Sequence, residues 1–312
     1  MGDIALSAAD ASRVYAVGRT SDTEYQDVMT FWKSINGGKD WSSMTIANGP
    51  SCGQTLAFES GNVSVIYAGG VKDNNKPILL KSLNGGTSWT ALGQGTITGQ
   101  VLKVAVHPQL PLCVVAGTTD SLYLSADGGA TWGKVLNGET REALFDPDIP
   151  SDIYAAGATG VWRSRDLGVS WEAFSTDLDF QGLLSLAVNW SQRVFYAGTA
   201  GNGVRRKKFG ETTFAYPPVN LKAAAHEVRS VLQREHIGEL TWTDDSRNTD
   251  IAKYRIYLVT EAKRTLLGEV SGGTRRFLHR KISPGTMYSY SVTAVDRNGR
   301  EGGGAFVSLY FN

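Results

Sequence analysis

The sequence predicts an all-β chain made of a repeated four-stranded unit followed by a separate β-sandwich. Three observations lead there. Thirty-six glycines punctuate short aliphatic bursts such as VIYAGG, CVVAG and VFYAG, the texture of many short strands joined by turns. One eight-residue stretch recurs, as SINGGKDW from Ser34, SLNGGTSW from Ser82, SADGGATW from Ser125 and SRDLGVSW from Ser164. Its serines and its closing tryptophans, Trp41, Trp89, Trp132 and Trp171, keep the same spacings of 48, 43 and 39, so insertions fall between copies and not within them.

Each unit can be justified strand by strand. Upstream of each copy lies an apolar run ending in glycine, VYAVG to Gly18, VIYAG to Gly69, CVVAG to Gly117 and IYAAG to Gly157, with VFYAG to Gly198 as a fifth. Another apolar strand precedes each of these: IALSA from Ile4, TLAF from Thr55, VLKVAV from Val101, EALF from Glu142 and LLSLAV from Leu183. A unit therefore reads strand, turn, strand, loop, strand, motif, strand. Four short antiparallel strands cannot bury both faces alone and need neighbours stacked around an axis, which predicts a β-propeller of about five blades over residues 1–216. Either this is a rare five-bladed ring or it belongs to a larger propeller, and the second is expected, with further blades lost by truncation or supplied by another chain.

The fifth unit carries a worn copy in which Lys207 and Phe209 replace the serine and aspartate and Phe214 takes the tryptophan's place. Pro217 and Pro218 then break the pattern, and a domain boundary is expected there. From 217 to 312 the text changes. Tyr254, Ile256 and Leu258 alternate with polar neighbours, as do Tyr288, Tyr290 and Val292, the period of half-buried sandwich strands. Leu221 to His236 suits a helix as well as a strand, and strand is preferred.

The four copies resemble the Asp box, or bacterial neuraminidase repeat, with Ser34, Ser82, Ser125 and Ser164 first, then Asn36, Asn84, Asp127 and Asp166, then Gly38, Gly86, Gly129 and Gly168, then the tryptophans. The resemblance implies a hairpin turn between the third and fourth strands of a blade, on the outer rim. The residue types agree with that: the amide or carboxylate accepts nearby backbone amides, and glycine takes the positive φ of a tight turn. These residues are therefore expected to be structural. The C-terminal part resembles a fibronectin type III domain through LTW around Trp242, YRIY from Tyr254 and PGTMYSYSVTAVDRNG from Pro284, which implies a tyrosine corner at Tyr288 or Tyr290.

Function is less legible. Lysine plus arginine, at 31, balance 30 acidic residues, so nothing asks for nucleic acid, and the RRKK run from Arg205 reads as a charged strand edge. No apolar run suits membrane insertion, and no signal peptide is present at residues 1–20. Cys52 and Cys113 lie in no metal or redox spacing, and a disulfide between them stays undecided. His107, His226, His236 and His279 lack partners at metal spacing, and neither a nucleophile elbow nor a phosphate loop occurs, so no cofactor, metal or catalytic residue is assigned.

Sialidases share the Asp-box propeller, but the arginine motif that this resemblance would bring is missing around Arg13 and Arg19. Xyloglucan-degrading endoglucanases share it too, and their chemistry would need two carboxylates, for which Asp146 and Asp148 are the best-looking pair. The expectation is a non-catalytic secreted, cell-surface or periplasmic module binding a protein or glycan. The alternative is a fragment of a propeller glycoside hydrolase, xyloglucanase-like before sialidase-like. Outside the motifs Trp32, Trp162 and Trp190 are the candidate sugar-stacking residues, and Trp190 is the one singled out as a ligand contact.

Overall fold

The computed structural model describes residues 2–6, 10, 12–21, 27–47, 49–59, 61–72, 75–158, 160–174, 183–201, 203–209, 215–229, 234–248, 250–260 and 263–310. Among them there are 26 strands and no α-helix. The Phe214 substitution read from the worn copy lies outside the described residues.

Five small antiparallel sheets come first. The first holds β1 (Asp3–Leu6), β2 (Val14–Ser21), β3 (Asp27–Ser34) and β4 (Ser42–Ala47) in that order. The second holds β5 (Ser51–Glu59), β6 (Asn62–Lys72), β7 (Lys76–Ser82) and β8 (Thr90–Ala91). The third holds β9 (Val101–Val106), β10 (Val114–Thr118), β11 (Ser121–Ser125) and β12 (Gly133–Asn137). The fourth holds β13 (Glu142–Phe145), β14 (Ile153–Gly157), β15 (Gly160–Ser164) and β16 (Glu172–Ala173), and the fifth β17 (Leu183–Asn189), β18 (Val194–Thr199) and β19 (Gly203–Lys208).

Consecutive strands are neighbours in every one of these sheets, as short connections demand. The sheets then stack in series through their first strands, β1 on β5, β5 on β9 and β9 on β13, with β14 meeting β17. Apolar side chains from adjacent sheets share cores. Tyr15, Val17 and Phe31 pack with Leu56 and Ile66; Tyr67 and Leu79 pack with Val104, Val114 and Trp132. Each sheet is too small to cover itself, so these shared cores are what hold the series together.

The remaining strands form a sandwich. β20 (Val219–Arg229), β21 (Arg234–Thr243) and β24 (Arg276–Arg280) make one sheet; β22 (Ile251–Thr260), β23 (Lys263–Ser271), β25 (Met287–Asp296) and β26 (Glu301–Tyr310) make the other, in the order β23-β22-β25-β26. Leu240 and Trp242 from the first sheet meet Tyr254, Ile256, Tyr290, Val292 and Leu309 from the second. The described part of Leu221 to His236 is strand, because Leu221, Ala223 and Ala225 alternate onto this core. The Tyr288 hydroxyl accepts the Ser283 amide at 2.8 Å, while Tyr290 is buried against His279.

The chain divides into two compact units. The first comprises 1–145, 153–163 and 171–208; the second comprises 209–312 together with the short segments 146–152 and 164–170.

Candidate functional site

The repeated motif folds four times into one hydrogen-bonded turn. The amides of Gly38, Gly86, Gly129 and Gly168 donate to the hydroxyls of Ser34, Ser82, Ser125 and Ser164 at 2.7–2.9 Å. Each hydroxyl donates in turn to Oδ1 of Asn36, Asn84, Asp127 or Asp166 at 2.7–3.0 Å. That same oxygen accepts the amide of Asp40, Ser88, Thr131 or Ser170 at 2.9 Å. Trp41, Trp89 and Trp132 close the turn by donating Nε1–H to the carbonyls of Gly38, Gly86 and Gly129. Burial works to raise the Asp127 carboxyl, yet hydrogen bonds from Thr131 and Ser125 outweigh it and hold it below the ordinary aspartate value. The serine hydroxyls and the Oδ1 atoms of these motifs are occupied by the turns themselves.

A second repeated device accounts for the Asp146–Asp148 pair. Asp146 Oδ1 accepts the amides of Asp148 and Ile149 at 2.9 and 3.1 Å. His107 Nδ1 does the same for Gln109 and Leu110 at 3.0 Å, and Asn189 Oδ1 accepts the Gln192 amide at 3.0 Å. Each of these residues sits at or just beyond the end of the first strand of its sheet and caps the turn that follows. Asp146 is fully buried, and Asp148 pairs with Arg247 in the same unit at 3.8 Å. Neither is arranged as an acid and base facing one substrate.

Trp190 stands in the Asn189 turn and is half-buried, its ring 6.1 Å from Tyr154 and 6.4 Å from Phe195 in an aromatic group with Phe174. Trp32 and Trp162 are half-buried strand residues. Cys52 and Cys113 are both free thiols, and burial pushes the Cys113 thiol up to about 12. Among the described residues no group of three or more His, Cys, Asp or Glu side chains converges, and no helix is long and apolar enough to cross a membrane.

The chemistry the sequence reading missed lies on the first strands. Strand pairing sets Asp3 opposite Val17, Thr55 opposite Gly69, Lys103 opposite Gly117, Glu142 opposite Ala156 and Ser185 opposite Gly198. These are one equivalent position in five sheets, and all five occupants are polar. Two of them tie one sheet to the next: Asp3 Oδ2 accepts the Leu56 amide at 2.9 Å, and Thr55 Oγ1 accepts the Val104 amide at 3.1 Å. Lys103 has no acceptor to offer and instead pairs with Glu142 at 3.0 Å. Burial raises the Glu142 carboxyl, the Lys103 charge pulls it back, and the Asp3 charge raises it further; the net shift is upward. Among the described carboxyls with a resolved shift, Glu142 alone is raised.

The signal was present in the repeats. DIAL, TLAF, KVAV, EALF and SLAV each place one polar residue before an apolar triplet that contains alanine. A raised carboxyl beside a second carboxylate and a lysine is the kind of set that can deliver a proton at pH values where an ordinary glutamate is ionised. By contrast, a cleft of about 490 Å³ beside β4 and β7, floored by Ile46, Ile78 and Leu92 and flanked by Lys72 and Lys76, is lined by no carboxyl among the described residues.

No protein-family model matches the chain. It is 24% identical over 207 residues to a xyloglucanase of Hypocrea jecorina (strain QM6a), a match that covers 64% of this chain and 23% of that enzyme. Its fold is similar to that of an ancestral GH74 enzyme, with a TM-score of 0.52 at 15% identity over 97% of this chain and 45% of the other. It is equally similar to the GH74 enzyme of Niastella koreensis, with a TM-score of 0.52 at 15% identity over 98% of this chain and 64% of the other. The small antiparallel sheets are thus those of GH74 β-propeller neighbours. The chain spans less than two thirds of the length of each of these three relatives.

Proposed function

We propose that this chain is part of a secreted propeller glycoside hydrolase acting on a β-glucan of the xyloglucan kind. The observation that carries the reading is the 207-residue match to a xyloglucanase, and a fold similar to GH74 enzymes supports it. It favours the alternative of a propeller glycoside hydrolase over the expected non-catalytic binding module. On this reading the four turns are Asp boxes and the C-terminal sandwich is of fibronectin type III kind. The order β20-β21-β24 against β23-β22-β25-β26, the core Trp242 and the Tyr288 hydroxyl bond to Ser283 support the latter.

Within this reading Glu142 is the proton-donating carboxyl. Its raised titration supplies a protonated acid at pH values where ordinary glutamates are ionised, and Lys103 holds its orientation. Trp190 serves packing, not sugar stacking. The reading is tested by titrating the chain calorimetrically with a xyloglucan oligosaccharide. Saturable heat is expected for the chain and for Trp190→Phe alike; no heat at millimolar oligosaccharide would sink the proposal.

A further inference from the structure

The cleft beside β4 and β7 belongs to none of the chemistry described above. Its floor is drawn from three places, Ile46 on β4, Ile78 and Leu80 on β7, and Leu92 in the turn that follows β8. That turn is fixed by its own backbone. The Leu92 amide donates to the Leu79 carbonyl at 2.8 Å, and the amides of Thr96 and Ile97 donate to the Gly93 carbonyl at 3.1 and 3.0 Å. The wall is therefore already formed, and its volume of about 490 Å³ falls within the range of about 300–1,000 Å³ that small-molecule sites occupy.

Charge gathers at one end of this cleft. Lys72 ends β6, Lys76 begins β7, and the two are direct partners across the hairpin. Like charges set opposite each other in an antiparallel pair repel. Both lysines are exposed, and among the described residues neither has a carboxylate or carbonyl partner. Other lysines of the same sheets do find one: Lys33 and Lys81 donate to the carbonyls of Gly85 and Gly128 at 3.2 and 2.7 Å, and Lys103 pairs with Glu142 at 3.0 Å. With no carboxyl lining the cleft among the described residues, an anionic ligand is what would relieve the Lys72–Lys76 repulsion.

The lining selects the rest of that ligand. It is aliphatic, and no aromatic side chain among the described lining residues offers a flat face to a sugar ring. Gln94 is its one uncharged polar side chain, so a molecule rich in hydroxyls would lose its water partners without replacing them. An alkyl chain loses nothing and gains by leaving water.

We propose that this cleft binds a medium-chain fatty carboxylate, with its chain on Ile46, Ile78 and Leu92 and its head beside Lys72 and Lys76. The site stands apart from the glucan-hydrolase reading, since no group assigned to that chemistry takes part.

Calorimetric titration of the full chain with decanoate, kept below its micelle concentration, tests this. Saturable one-to-one binding is expected. The double variant Lys72→Gln, Lys76→Gln changes exposed side chains, should keep the circular dichroism of the parent, and should bind decanoate at least tenfold more weakly. Butyrate, which keeps the head and loses most of the chain, should bind the parent at least tenfold more weakly than decanoate does, a comparison that needs no variant to fold. No saturable binding of decanoate at millimolar concentration overturns the proposal. Equal affinity in parent and double variant overturns it by removing the lysines from the site, and equal affinity for butyrate and decanoate overturns it by removing the aliphatic floor.

Discussion

At Ser82 one hydroxyl does three things: it accepts the Gly86 and Asn84 amides at 2.9 and 3.3 Å and donates to Asn84 Oδ1 at 3.0 Å, at 1% exposure. Removing it strands the buried Gly86 amide, so Ser82→Ala should cost about 1–3 kcal/mol in urea unfolding. The turn's second requirement is backbone freedom. Gly37, Gly85 and Gly128 hold φ of 71°, 66° and 72°, and in the fourth copy Leu167 occupies the same place at φ 57°. Left-handed backbone costs a side-chain-bearing residue about 1–2 kcal/mol. Gly37→Ala should lose about that much with no steric contribution, because the added methyl meets nothing. A Gly37→Ala variant as stable as the parent would show that the turn is not fixed at this conformation.

The strands were legible because each combines an apolar run with a glycine and a fixed phase against the motif. IYAAG lies at Ile153–Gly157 and EALF at Glu142–Phe145 in the fold as in the text. The candidate site was less so. Asp146 drew attention as one of two aspartates beside prolines, but what it does is cap a turn, a role that His107 and Asn189 fill elsewhere with other chemistry. Glu142 drew none, since its environment comes from Lys103 and Asp3 on other sheets, at a distance in sequence that no local pattern encodes.

Titration belongs to the sheets as well. In the sandwich, burial acts to raise Glu301, but hydrogen bonds from Thr293, Arg255 and Tyr257 and the charge of Arg264 prevail and lower it. A carboxyl held below its unfolded value stabilises above that value and loses the contribution as pH falls through the folded one. Acid should therefore weaken the sandwich below the ordinary glutamate range, and Glu301→Gln should cost about 2 kcal/mol at neutral pH and flatten that acid slope in pH-dependent denaturation. Glu142 acts oppositely. Between the ordinary glutamate value and its raised one, the folded chain keeps a proton that the unfolded chain has released, so stability falls as pH rises through that window.

For the whole molecule, five stacked sheets and a sandwich give a scaffold, and the proposed activity would rest on what lies along the first strands. We propose that this scaffold belongs to a β-glucan hydrolase with Glu142 as its acid. The most direct measurement is reducing-end release from xyloglucan by the full chain and by Glu142→Gln, followed from pH 4 to 8. The account predicts release by the parent that declines on the alkaline side as the Glu142 carboxyl ionises, and a loss of about a hundredfold or more in the variant. No release by the parent, or equal rates in the two proteins, would contradict it.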